Sequence, residues 1–196
     1  MKKGLIVLLM ILGIISLVFM MFGGTYNKLV KADEQVNQAW AQVENVYQRR
    51  LDLIPNLVET VKGYAAHEKS TFVEVTEARS KAAGSITPGL INDPQKFAQF
   101  QESQTALSSA LSRLMVVVEK YPDLKANENF LSLQAQLEGT ENRISVERGR
   151  FNEAAQAFNT MFRQFPTNLI GGMFGFKVKE YFKAEAGAKT APKVQF

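Results

Sequence analysis

Eighteen consecutive uncharged residues, Leu5 to Phe22 (LIVLLMILGIISLVFMMF), constrain this chain more than anything that follows them. Ser16 is their only polar side chain. A helix needs roughly 20 mostly apolar residues to cross a hydrocarbon core of about 30 Å. With Gly4 before it and Gly23-Gly24 behind it, the run reaches that length. A cleaved signal peptide fits poorly, because its apolar region is about 7–15 residues and ends in a small-x-small site. Here Met20-Met21-Phe22 precede Gly23-Gly24-Thr25. A lipoprotein anchor is excluded by the absence of cysteine. A buried core helix would leave the Met1-Lys2-Lys3 flank unexplained. The expectation is an uncleaved membrane anchor over residues 1–24. Lys2 and Lys3 favour a cytoplasmic N-terminus and an extracytoplasmic body. Lys28 and Lys31, just behind the span, oppose that orientation.

The rest of the chain, about 170 residues, is one ordinary domain. Without Lys2 and Lys3 it carries 21 basic against 19 acidic residues. The sequence pI of about 9.2 is therefore no sign of nucleic-acid binding, which needs a concentrated basic surface.

From Tyr26 on, apolar positions recur at steps of three and four. They run through Leu29, Val36, Trp40, Val43, Tyr47, Leu51, Ile54, Leu57, Val61, Tyr64, Phe72 and Val75. That period predicts a long amphipathic helix. Pro55 removes one backbone hydrogen bond, but the apolar seam keeps its phase across it, which predicts a kink. Gly63 is a second weak point. The helix should stop near Arg79 to Gly84, and a linker should run from Ser85 to Asn92. Asp93-Pro94 reads as an N-cap with proline at the first helical position. A second helix carries Phe97, Phe100, Leu107, Leu111, Leu114 and Val118. A third carries Phe130, Leu133, Leu137, Ile144, Phe151, Ala155, Phe158, Phe162 and Phe165, up to Pro166. The expected fold is all-α: an anchor helix, then an up-down bundle over residues 25–165 with three long helices. It has four segments if the first helix breaks near Pro55 or Gly63. Residues 166–196 form a third region, with a Phe- and Gly-rich strap, a short helix over Val178 to Ala186, and an extended tail around Pro192.

Chemistry is hard to find. His67 is the only histidine, and Thr71 stands where a zincin helix needs its second one. One histidine and no cysteine argue against a zinc site and against the Glu-x-x-His pairs of a di-iron bundle. Gly171-Gly172-Met173-Phe174-Gly175 lacks the lysine and the preceding strand of a phosphate-binding loop. No catalytic residue, cofactor or metal is expected. The polar residues that stand out lie on the helix seams: Asp33 and Arg50 on the first helix and Arg148 on the third, with Glu141, Arg143 and Glu147 close by the last. They read either as a recognition patch or, preferably, as ion pairs that fix helix register, since buried charges persist only when paired. Phe165, Leu169, Ile170, Met173, Phe174 and Phe176 have two readings as well. They cover the open end of the core, or they form a patch for a partner or the bilayer interface.

Tyr26-Asn27-Lys28-Leu29-Val30, the stretch Ala39 to Arg50 (AWAQVENVYQRR) and Asp52 to Val58 (DLIPNLV) resemble the bacterial LemA family. Val61-Lys62-Gly63-Tyr64, Glu77-Ala78-Arg79, Glu141-Asn142-Arg143-Ile144, Ala154 to Asn159 and Phe165 to Phe176 continue the likeness. The resemblance implies a membrane-anchored helical bundle in the bacterial inner membrane. It also implies an envelope setting: genes of LemA-like proteins lie beside genes for TPM-domain proteins or a membrane zinc metalloprotease, and one LemA-like protein takes part in magnetosome formation. It does not fix the side of the membrane.

The functional expectation is a non-enzymatic scaffold or adaptor. It would be held in the membrane through Leu5 to Phe22, and would self-associate or dock a partner such as a TPM-domain protein or a membrane metalloprotease. The alternative is an enzyme, or an accessory to a membrane protease, working through carboxylates around Glu44, Asp52 and Glu59.

Overall fold

The computed structural model describes residues 2–183, except the side chains of Lys2, Lys3, Leu17, Val18 and Met21. Residues 184–196, with the tail around Pro192, lie outside it. The described residues are helical with no strand: α1 (Lys2–Lys62), α2 (Lys69–Gly84), a 3-10 turn (Leu90–Asn92), α3 (Pro94–Val118), α4 (Pro122–Lys125), α5 (Glu128–Arg163) and α6 (Thr167–Met173). Among them no helix is long and apolar enough to cross a membrane. Within the run Leu5 to Phe22 the side chains of Leu17, Val18 and Met21 lie outside the described residues.

Helix α1 is continuous for 61 residues, roughly 90 Å at 1.5 Å per residue. Pro55 sits inside it on the exposed side. Proline has no N–H for the carbonyl four residues back, which is that of Leu51. Arg79 on α2 takes up that carbonyl, its Nε donating to Leu51 O at 2.8 Å. The helix therefore passes Pro55 and breaks at Gly63, where a turn through Glu68 reverses the chain. The four-segment form is the one observed.

Helix α2 runs back along α1, α3 reverses again and packs on α2, and α5 returns antiparallel to α1 and makes the most extensive contact with it. Asp93 caps α3, accepting from the N–H groups of Gln95 and Lys96. Asn127 caps α5 through the N–H of Phe130. Both caps satisfy donors that a helix start leaves open.

Two apolar cores lie along the bundle axis. The distal core is mainly aliphatic and joins Leu51, Ile54, Leu57, Val58 and Val61 to Val75, Ala78, Ala82, Leu107, Leu111, Leu114 and Leu137. The proximal core, towards residue 26, is aromatic: Trp40, Tyr47, Phe97, Phe100, Phe151, Phe158 and Phe182.

The C-terminal region differs from its sequence reading in two places. Thr167–Met173, read as part of a Phe- and Gly-rich strap, forms α6, which buries Thr167, Ile170 and Gly171. The helix read over Val178 to Ala186 is absent from its described part: residues 176–183 form a non-helical strap. Gly175, at φ 78°, ends the α6 segment in a conformation that favours glycine. At Lys179 and Phe182 the strap's backbone partners are side chains of α5.

Candidate functional site

Arg50 lies between the two cores, one residue before Leu51 of the distal core and three after Tyr47 of the proximal one. It is 1% exposed. Its Nη1 donates to Glu141 Oε1 on α5 at 2.7 Å and to Ser108 Oγ on α3 at 3.2 Å. Its Nη2 donates to the side-chain oxygen of Gln104, and its guanidinium lies 5.2 Å from the Tyr47 ring centre. Gln104 in turn donates to Ala82 O, near the end of α2. One guanidinium thus ties α1, α3 and α5 directly, and α2 through Gln104. A planar fork of donors suits such a junction, where a lysine would supply one point charge. Beside it opens a polar cleft of about 230 Å³, lined in part by Gln101, Glu102, Thr105 and Arg148.

The second polar centre holds the strap. Lys179 is 3% exposed along its side chain, its Nζ 2.6 Å from Asp33 Oδ1. The contact with Asp33 is an ion pair; the aligned hydrogen bond from Nζ goes to Asn92 Oδ1, also at 2.6 Å. The ammonium lies 5.0 Å from the Phe158 ring centre. Two asparagines of α5 bracket the strap backbone. Asn159 accepts from the N–H of Lys179 and donates to its carbonyl. Asn152 does the same for Phe182. Seven helical residues rise about 10.5 Å, and three extended residues cover about 10 Å. The two amides therefore register an extended chain, giving it the pairing that a sheet neighbour would supply. Phe182 is thereby set among Trp40, Phe97, Phe100 and Phe151, with ring centres 5.0–6.3 Å away.

Of the residues singled out from sequence, the structure brings Arg50 and Glu141 together and pairs Asp33 with Lys179. Arg148 is half-buried; its guanidinium lies 4.6 Å from the Phe182 ring centre, and it donates to Lys183 O at 3.3 Å. Arg143 is exposed and joins neither centre. In the Phe-rich segment Ile170 is buried and Phe176 half-buried, whereas Phe165, Leu169, Met173 and Phe174 are exposed. The carboxylates of the enzyme reading do not converge. Glu44 accepts from Trp40 Nε1 at 2.6 Å, Asp52 accepts from Gln48, and Glu59 pairs with Lys62, each within α1. His67 lies exposed in the turn before α2. Among the described residues no three His, Cys, Asp or Glu side chains are grouped to hold a metal ion.

Sequence reasoning missed Lys179, Asn92, Gln104 and the two strap asparagines. A usable signal was present at Asn152 and Asn159. They stand seven residues apart among Phe151, Ala155 and Phe158, a polar pair on the face of α5 that is otherwise apolar.

Comparison with known proteins follows the same span. A sequence model of the LemA family matches residues 39–196. The chain belongs to the LemA family. Its curated relatives include Magnetosome protein MamQ 2 of Paramagnetospirillum magneticum, 27% identical over 84% of this chain and 67% of the relative. Magnetosome protein MamQ of Magnetospirillum gryphiswaldense is 26% identical over the same shares. Protein LemA of Metamycoplasma hominis is 24% identical over 80% of this chain and 68% of its own length. The match begins at Ala39 and takes in the Arg50 junction, both strap asparagines and Lys179. The LemA match thus covers both polar centres apart from Asp33.

Proposed function

We propose that this LemA-family chain is a single-pass membrane scaffold, anchored through Leu5 to Phe22, that presents a rigid helical bundle to partner envelope proteins or to further copies of itself. The carrying observation is the division of one continuous helix. From residue 29 on, α1 buries a stripe at helical spacing, whereas Leu5 to Ile15 leave every large apolar side chain 48–64% exposed. Among the described residues nothing else covers that first part, and water is a poor neighbour for it. The run holds thirteen Leu, Ile, Val and Phe. At about −0.3 to −0.6 kcal/mol each near a helix centre, they favour insertion by on the order of 5 kcal/mol.

Beyond the span, Tyr26 to Lys62 extends roughly 55 Å, a length matched by the 36 residues of α5. Such a body acts as a spacer whose sides are available far from the bilayer. The magnetosome relatives support a setting at a membrane-bounded structure, and the family resemblance supports envelope partners such as a TPM-domain protein or a membrane metalloprotease. The enzyme reading gains nothing from Glu44, Asp52 and Glu59, which are engaged along their own helix.

The test is photocrosslinking of the full chain in intact membranes, from exposed bundle positions Val116, Leu131 and Val146. Recovery of discrete adducts with a second copy or with envelope proteins is the expected result. Monomer alone from all three positions, with an intact mass of one chain after detergent extraction, would contradict the scaffold reading.

A further inference from the structure

Helix α6 brings an apolar surface to the end of the bundle nearest Phe22. Phe165 is 80% exposed and Met173 76%, with Leu169 and Phe174 also well exposed. They are fixed to α1. A Cβ on Gly171 would stand 2.6 Å from the Phe162 ring and 2.9 Å from Leu29, so only glycine lets α6 lie this close. Phe174 packs its ring 4.6 Å from that of Tyr26. Below the contact, Phe19, Phe22, Gly23, Tyr26 and Phe174 line an almost wholly apolar cavity of about 430 Å³. From Phe22 to Leu29 the helix rises roughly 10 Å, so α6 stands just past the end of the apolar run. The cavity joins the two.

The charges at this level are mostly of one sign. Lys28, Lys31, Arg163 and Lys177 are all exposed. Asp33 is taken up by Lys179, leaving Glu34 exposed and Glu180 half-buried. An apolar surface continuous with a membrane span and edged with lysine and arginine suits the boundary between headgroups and acyl chains. Tyrosine is favoured at that depth, and Tyr26 stands there against Phe174.

We infer that α6 and its flanks form an interfacial foot. Phe165, Leu169, Met173 and Phe174 enter the acyl boundary of an anionic bilayer, and Lys28, Lys31, Arg163 and Lys177 meet its phosphates. The inference rests on the anchor reading and adds to it. The bundle does not swing from a tether; it is seated on the membrane at a second point, and that seating sets its tilt.

The chain has no cysteine, so single spin labels report cleanly. The full chain carrying Leu169→Cys, Met173→Cys, Leu9→Cys or Val146→Cys is labelled and reconstituted in nanodiscs of phosphatidylglycerol or of phosphatidylcholine. Collision with oxygen, which concentrates in lipid, is compared with collision with a water-soluble nickel chelate. In phosphatidylglycerol, positions 169 and 173 are expected to be several-fold less accessible to nickel than position 146, and shallower than position 9. In phosphatidylcholine, or with Lys28→Glu and Lys177→Glu together, nickel access at 169 and 173 should rise several-fold while position 9 stays unchanged. If 169 and 173 match 146 while 9 remains in lipid, the foot is wrong and the anchor stands. If 9 is also open to nickel, the anchor reading itself fails. Equal depth in both lipids would overturn the anionic part. Spin–spin broadening at 169 or 173 only in discs holding two copies would assign the surface to a second chain and overturn the foot.

Discussion

The two cores of the bundle solve the same packing problem with different materials. In the distal half four helices meet, and leucine, valine and alanine fill the space between them. In the proximal half the fourth helix is missing, because α2 ends at Gly84, near the level of Gln104 and Arg50. Removing one helix from a four-helix section leaves a wide gap, and large flat side chains fill it best. Trp40, Phe97, Phe100 and Phe151 supply the rings, and the strap inserts Phe182 among them. The distal core is therefore closed by its four helices alone. The proximal one is closed by the C-terminal strap, which must return along α5 and be pinned there. Between the two lies the polar junction of Arg50, Gln104, Ser108 and Glu141. Such a layer costs desolvation but admits one helix register, the best-attested use of buried polar groups in bundles.

The largest effect expected on this contrast comes from Phe182→Ala. Loss of a buried ring should cost about 3–5 kcal/mol in denaturant unfolding. Hydrogen exchange should quicken across residues 29–47 and 144–159, and far less across 107–118. Even quickening through both halves would merge them into one cooperative unit. Next comes the junction: Arg50→Ala should cost about 3 kcal/mol, the low end for a broken buried pair, since Glu141 keeps contact with water. Arg50→Met should cost less, because its stem still packs on Tyr47, and Glu141→Gln in that background should recover part of the loss. An Arg50→Met chain with unchanged thermal stability that had lost its partner binding would instead make the junction a recognition patch.

Strap registration should show a smaller effect. Asn159→Ala leaves the N–H and carbonyl of Lys179 without their partners and should cost about 2 kcal/mol. The exposed Asn142→Ala on the same helix should be near neutral. Smallest is the repair at Pro55. Arg79→Ala should cost about 1 kcal/mol, and most of that should vanish in the Pro55→Ala background, where a backbone N–H returns to position 55. A double-mutant cycle in urea measures the coupling directly.

Much of the distal half could be read from the sequence. Its apolar steps keep one period through Pro55, Gly63 marks the break, and Asp93-Pro94 opens α3. These are local signals, and local rules govern them. The proximal half was less legible because its decisive contacts join residues far apart in the chain. Arg50 was conspicuous on its seam, but nothing near it points to Gln104. Val178 to Ala186 has a reasonable helical composition, yet Asn152 and Asn159 hold residues 179–182 extended and Phe182 fills an aromatic gap. Tertiary pairing overrode local propensity there. The α6 segment was obscured by its glycines, of which Gly171 is required by the approach of Leu29 and Phe162.

The central claim is that one helix passes from a bilayer into the bundle, and cysteine scanning along it in native membranes tests this most directly. Single cysteines from Leu5 to Lys31 are challenged with a membrane-impermeant maleimide, before and after detergent extraction. The account expects protection through Phe22, relieved only by detergent, then reactivity beyond Asn27 that rises and falls with the helical period as Leu29 turns inward. Ready labelling from Leu5 onward in intact membranes on both sides, with no change on adding detergent, would contradict it.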